Sequence, residues 1–126
     1  MSKTAITSPE LAPPVGPFSQ AIKVDGFIYL SGQVGQDPAT GKVVVGGIVA
    51  ETERVFQNLS AVLKAAGKRF DDVVRAGVYL TSMSDFAAMN AIYAKYFSQP
   101  FPARTTIGVA ALPLGACVEI DLVVKA

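Results

Sequence analysis

Arg104 opens a β-rich stretch directly after Phe101-Pro102-Ala103. That approach is stiff, so the guanidinium is held in one direction. A guanidinium held this way can grip a carboxylate through two parallel hydrogen bonds, a geometry Lys cannot imitate. The competing reading is an ion pair across a sheet with Glu119 or Asp121, and charge pattern alone favours it. Glu119 reads, on sequence physics alone, as an ordinary polar position in an alternating strand. Ser31-Gly32 can line a pocket or simply end a strand with small residues. Cys117 reads as a small packing residue, since no basic group is placed to activate it. Tyr93 and Tyr96 stand at helical spacing and read as core. Asp25 and Asp71-Asp72 read as turn and cap residues, and Gly46-Gly47 lacks the further glycines or Lys of a phosphate loop.

Absences narrow the chemistry further. The 126 residues contain no His and one Cys. That excludes Ser-His-Asp and Cys-His nucleophiles, imidazole metal sites, thiolate zinc clusters and an intrachain disulfide. No metal site is therefore expected, and no cofactor is expected either. The net charge of +1 is spread along the chain, which offers nucleic acid no electrostatic footprint. No apolar run reaches the ~18 residues a membrane span requires. The start leads into no apolar leader, so a soluble, cytoplasmic protein is expected. Hydrophobic residues make up 51% and charged residues 17%, the latter below the usual ~25%. So little charge hints at buried contacts between subunits. The length suits one domain, 1–126, with one core.

The elements that must position these groups are legible from periodicity. Residues 8–17, rich in Pro and Gly, predict a stiff extended arm. Residues 20–24 and 27–33 flank Asp25-Gly26 and predict a hairpin with a type I′ turn. A turn at 37–41 leads to a short strand at 42–45. Residues 48–66 predict a helix ended by Gly67. A strand at 72–80 and a second helix at 85–97, capped by Ser84, follow. Strands at 104–111 and 116–124 are joined by the 112–115 turn. The fold class is α+β: a single mixed sheet with two helices on one face. Alternation assigns Ile28, Leu30, Val74, Val78, Leu80, Ile107, Val109, Val118, Ile120, Leu122 and Val124 to the helix-covered face. The opposite face then carries Tyr29, Ser31, Gln33, Arg75, Tyr79, Arg104, Thr106, Cys117, Glu119 and Asp121.

The chain resembles the RidA family (YjgF/YER057c/UK114) of imine deaminases over nearly its whole length. The resemblance rests on Val15-Gly16-Pro17-Phe18-Ser19-Gln20-Ala21, Tyr29-Leu30-Ser31-Gly32-Gln33, Ala65-Ala66-Gly67 and Asp85-Phe86 with Asn90 and Tyr93. It continues through Phe101-Pro102-Ala103-Arg104, then Val109-Ala110-Ala111-Leu112-Pro113 and Val118-Glu119-Ile120. It implies a chorismate-mutase-like fold, a homotrimer whose sheets line a central barrel, and pockets at the subunit seams. It also implies hydrolysis of 2-imino acids such as 2-iminobutanoate and 2-iminopropanoate to 2-keto acids and ammonia. Carried over by position, Arg104 binds the substrate carboxylate and Glu119 positions or activates water. Phe18, Ser31, Gly32 and Thr106 would line the pocket. Two positions depart from many members: Phe18 replaces a Tyr, and Thr106 stands where some carry Cys. A non-catalytic sensor of small carboxylates and an RNA-directed role are the competing functions.

Overall fold

The computed structural model describes residues 2–126. The strands are β1 (Thr4–Ile6), β2 (Ala21–Val24), β3 (Phe27–Val34), β4 (Val73–Leu80), β5 (Ala103–Gly108) and β6 (Val118–Lys125). They form one six-stranded sheet in the order β1-β2-β3-β6-β4-β5. The β4–β5 pair is parallel and the other pairs are antiparallel. Two helices, α1 (Gly47–Ala65) and α2 (Phe86–Tyr93), accompany it. The fold is thus the mixed α+β sheet with two helices that alternation predicts. None of the described helices is long and apolar enough to cross a membrane.

The β6 alternation is clean. Val118, Ile120, Leu122 and Val124 are all buried beneath the helices. On α1, Val55, Phe56, Leu59, Val62 and Leu63 fall on one stripe and meet them. Gly67 ends α1 in the left-handed region (φ 69°). Its N–H donates to the Lys64 carbonyl, and that of Lys68 to Leu63, which satisfies two terminal acceptors. Phe56 is fully buried and stacks on Tyr96 with ring centroids 4.3 Å apart, its neighbours Tyr93 and Phe97 meeting it near edge-on. Phe56→Ala is expected to lose about 3–5 kcal/mol of stability. The readout is a lower urea midpoint at fixed protein concentration.

Several elements differ from expectation. A short strand, β1, pairs with β2 at the sheet edge; three residues are too few to show a period. The tight turn after β2 has its positive φ at Asp25 (48°), not at both central residues, so it is not type I′. Residues 42–45 contribute only a lone bridge, Gln36 to Val43. Helix α2 is shorter than 85–97. Its last bonds tighten to Lys95 N–H on Ile92 and Tyr96 N–H on Tyr93, which turns Phe97 onto Phe56. Ser82 rather than Ser84 caps the turn before it, accepting from the Ser84 N–H at 3.3 Å. A register shift between Val73 and Arg75 puts Val73, not Val74, in the core and leaves Val74 exposed.

The largest correction concerns β5. Arg104 pairs with Ala76 and Thr106 with Val78, both buried core positions. Arg104 and Thr106 therefore face the helices, and Ile107 lies on the open face, 44% exposed. Parity predicted the reverse, because it assumed that a strand's apolar side always meets its own helices. At this edge α2 offers aromatic rings and an amide instead, which suit a guanidinium better than Ile.

Candidate active site

Two loci emerge, each built from the expected residues. The first surrounds Glu119, which shares the helix-free face of β6 with Asp121. On the neighbouring β3 the register shifts between Leu30 and Gln33, which throws Ser31-Gly32 into a bulge. A Cβ at Gly32 would collide with the Glu119 carboxylate. Only glycine at 32 leaves that carboxylate where it lies. The Ser31 hydroxyl donates to the Ser19 carbonyl at 2.6 Å, and its N–H donates to the Gln20 carbonyl at 3.0 Å. Ser31 therefore offers the cleft its oxygen lone pairs and no free donor. The arm at 8–17 returns over this bulge. Its Ser8 N–H donates to the buried Gln20 side chain, and Glu10 pairs with Lys64. The cleft so enclosed measures about 420 Å³ and is lined by Phe18, Ser31, Gly32 and Glu119, with Pro13 and Val15 from the arm. Burial pushes the Glu119 carboxyl above its ordinary range, and the charge of Asp121 adds to that. Among the described residues no side chain or backbone group donates to it.

Asn58 also borders the cleft but is fully engaged. Its amide donates to the carbonyls of Val34 and Gln36, and its oxygen accepts from Arg54. It ties α1 to the end of β3.

The second locus lies between β5 and α2. The Arg104 Nη1 donates to Asn90 Oδ1 at 2.7 Å, and the guanidinium sits 4.5 Å from the Tyr93 ring centroid and 5.6 Å from that of Phe86. Cation–π contact and one hydrogen bond thus fix the side chain from three sides while leaving further donors free. Thr106 lies on the same side of β5, its hydroxyl buried without a partner. Phe86, Asn90 and Tyr93 follow a four-then-three spacing, so one face of α2 holds the arginine. Tyr93 is in the core, as its spacing predicts, and its ring also forms a platform for Arg104; that second role of α2 was signalled only by the helical spacing from Phe86 through Asn90 to Tyr93.

Within one chain, then, Phe18, Ser31, Gly32 and Glu119 come together, whereas Arg104 and Thr106 line a different place. The ion pair that the charge pattern favours is absent among the described residues: Arg104 bonds Asn90, and Asp121 accepts from the Tyr79 hydroxyl at 2.9 Å. The Cys117 thiol is pushed up to about 12, first by burial and then by Glu51, so it carries no thiolate. No three His, Cys, Asp or Glu side chains among the described residues gather as a metal site.

Comparison with known proteins points one way. A goat (Capra hircus) protein named 2-iminobutanoate/2-iminopropanoate deaminase is 50% identical over 109 residues, covering 86% of this chain and 80% of its own. A protein of the same name from the mite Dermatophagoides farinae is 44% identical, with 98% of each chain covered. The crystal structure of RidA from the Antarctic bacterium Psychrobacter sp. PAMC 21119 superposes with a TM-score of 0.92 at 41% identity, covering 98% of this chain and 99% of that one. The family model described as Endoribonuclease L-PSP matches residues 9–126. With sequence motifs, fold and relatives in agreement, the chain belongs to that family, the YjgF/RidA family.

Proposed function

We propose that this protein hydrolyses 2-imino acids, 2-iminobutanoate and 2-iminopropanoate among them, to 2-keto acids and ammonia. The observation that carries this reading is an unbonded, half-buried carboxylate on the wall of a small cleft, in a chain half identical to a named 2-imino acid deaminase. The active unit is a homotrimer, and each site spans two copies. One copy supplies Phe18, Ser31, Gly32 and Glu119, and its neighbour supplies Arg104 and Thr106. Support comes from the sheet itself. Phe27, Tyr29, Val74 and Ile107 are large, apolar and exposed in the single chain, a pattern that marks a face made to be covered. Strand β5 is also a free edge of the sheet, and Arg104 on it is only partly buried and bonded through one donor.

In this mechanism Arg104 forks onto the substrate carboxylate and holds the C=N carbon against the neighbour's Glu119. Glu119 takes a proton from water as its oxygen bonds to that carbon. The proton passes to nitrogen and gives the carbinolamine; the proton of the new hydroxyl then follows through Glu119 to the same nitrogen, the C–N bond breaks as C=O forms, and ammonia leaves the 2-keto acid behind. An imine is already electrophilic, so orientation and one proton carrier suffice. Phe18 lacks a hydroxyl and contributes an apolar wall only. A cytoplasmic site of action and the single-domain organisation of 1–126 belong to the same proposal.

The test couples purified protein to an enzyme that releases 2-iminobutanoate. Faster appearance of 2-ketobutanoate than the spontaneous rate supports hydrolysis. An unchanged rate with saturable keto-acid binding identifies a sensor instead. The family description raises an RNA-cleaving role as well. A net charge of +1 and the absence of His weigh against it, and salt-dependent RNA binding by the purified protein would favour it.

A further inference from the structure

Two glycines flank β6 on opposite sides. Gly32 on β3 leaves space for the Glu119 carboxylate, and Gly77 on β4 leaves space for the carboxylate of Asp121 and the Tyr79 hydroxyl. Glu119 and Asp121 are two residues apart on one strand and share a face. Their carboxylates nevertheless diverge: Glu119 lies over β3, and Asp121 lies over β4. Tyr79 is the cross-strand partner of Glu119, yet its hydroxyl reaches past it to Asp121 at 2.9 Å. One acid is therefore tethered and the other is not.

We propose that Asp121, anchored by Tyr79, is a positioning residue for Glu119, holding that carboxylate over Gly32 and toward the cleft by repulsion between like charges. Glu119 cannot relax toward β4 while Asp121 occupies the space above Gly77, and β3 has room for it only because residue 32 is glycine. Burial first, and then the same charge, raise the Glu119 carboxyl, so Asp121 adds to its strength as a proton acceptor. Other groups bear on this face. Arg75 of β4 bonds the Thr105 hydroxyl, Tyr79 is already paired, and β3 brings no charge, Val34 being the cross-strand partner of Glu119 and Gly32 lying under its carboxylate. Behind the sheet, Glu51 of α1 accepts from the Cys117 N–H. The charge that opposes ionisation of Glu119 is that of Asp121.

The inference rests on the role proposed for Glu119, and its test separates the two. The chain has four Glu residues, Glu10, Glu51, Glu53 and Glu119. Carboxyl carbon NMR of Glu-labelled protein thus resolves Glu119 directly, assigned by the resonance lost in Glu119→Gln. Asp121→Asn is expected to lower the titration midpoint of Glu119 by about 0.5–1 pH unit. The acid limb of kcat/KM should move down by the same amount, with kcat reduced and KM unchanged. Asp121→Glu keeps the charge and should restore the wild-type midpoint. Tyr79→Phe, which removes only the tether, should lower kcat about three- to tenfold at unchanged KM. A Glu119 midpoint that stays put or rises in Asp121→Asn overturns the proposal, as does Asp121→Glu behaving like Asp121→Asn. Full turnover by Glu119→Gln overturns the catalytic reading of Glu119, while the NMR midpoints still decide the link to Asp121.

Discussion

Arg104→Ala is expected to lower kcat/KM for a 2-imino acid by about 10²–10³-fold, the cost of removing a forked, charge-assisted grip on a carboxylate. The fold should survive, because the side chain is only partly buried and lies at the sheet edge, between β5 and α2. Loss of Arg104 frees the amide of Asn90 and the rings of Phe86 and Tyr93, all of which can meet solvent or one another. Mixing adds a sharper measurement. If each site takes its arginine from one copy and its glutamate from the next, co-refolding Arg104→Ala with Glu119→Gln rebuilds intact sites. With random assembly in a ring of fixed direction, about one site in four regains both groups. Activity near a quarter of wild type from two inactive variants supports a shared site. No recovery in mixed trimers overturns it.

Glu119→Gln is expected to reduce kcat by about 10²–10⁴-fold, the range for losing a positioned proton carrier, with keto-acid binding retained. Gln keeps the shape over Gly32 but accepts no proton from water. The wild-type pH profile is expected to carry the same signature. Burial and Asp121 raise the Glu119 carboxyl, and the base works only when ionised. Activity therefore falls as pH drops through that raised value, so the acid limb lies above the ~4.3 of an ordinary Glu. Measuring kcat/KM against pH for wild type and Glu119→Gln checks both points. A limb that persists unchanged in the variant, or unchanged turnover, would make Glu119 a structural residue.

How far these groups were legible before the fold was known varies with what each depends on. Alternation along 117–124 is local, and it correctly put Glu119 and Asp121 on the face away from the helices. The stripe from Val55 to Leu63 and the glycine stop at 67 are local as well. Motif order identified Phe18, Ser31, Gly32, Thr106, Arg104 and Glu119 as candidates, and four of them do gather around one cleft. The orientation of Arg104 was not local. It depends on which strand β5 pairs with, in what direction, and on what α2 presents at that edge. A parallel pairing to β4 sets Arg104 beside Ala76, and no count of apolar residues within 104–111 reveals that partner. The same applies at Val74, where a one-residue bulge reverses the parity of the strand's start.

The sequence by itself determined which chemistry is out of reach: a chain without His and with a single Cys has no imidazole base and no thiolate cluster. It also determined the helices and central strands, because burial on one side of each imposes a period that the residues must obey. Only the tertiary structure decided which groups meet. It set Glu119 over Gly32, Asp121 over Gly77 and Arg104 against Asn90. Those meetings come from strand order, register shifts and the packing of a helix over an edge. All of these are contacts between segments far apart in the chain, and no local pattern encodes them.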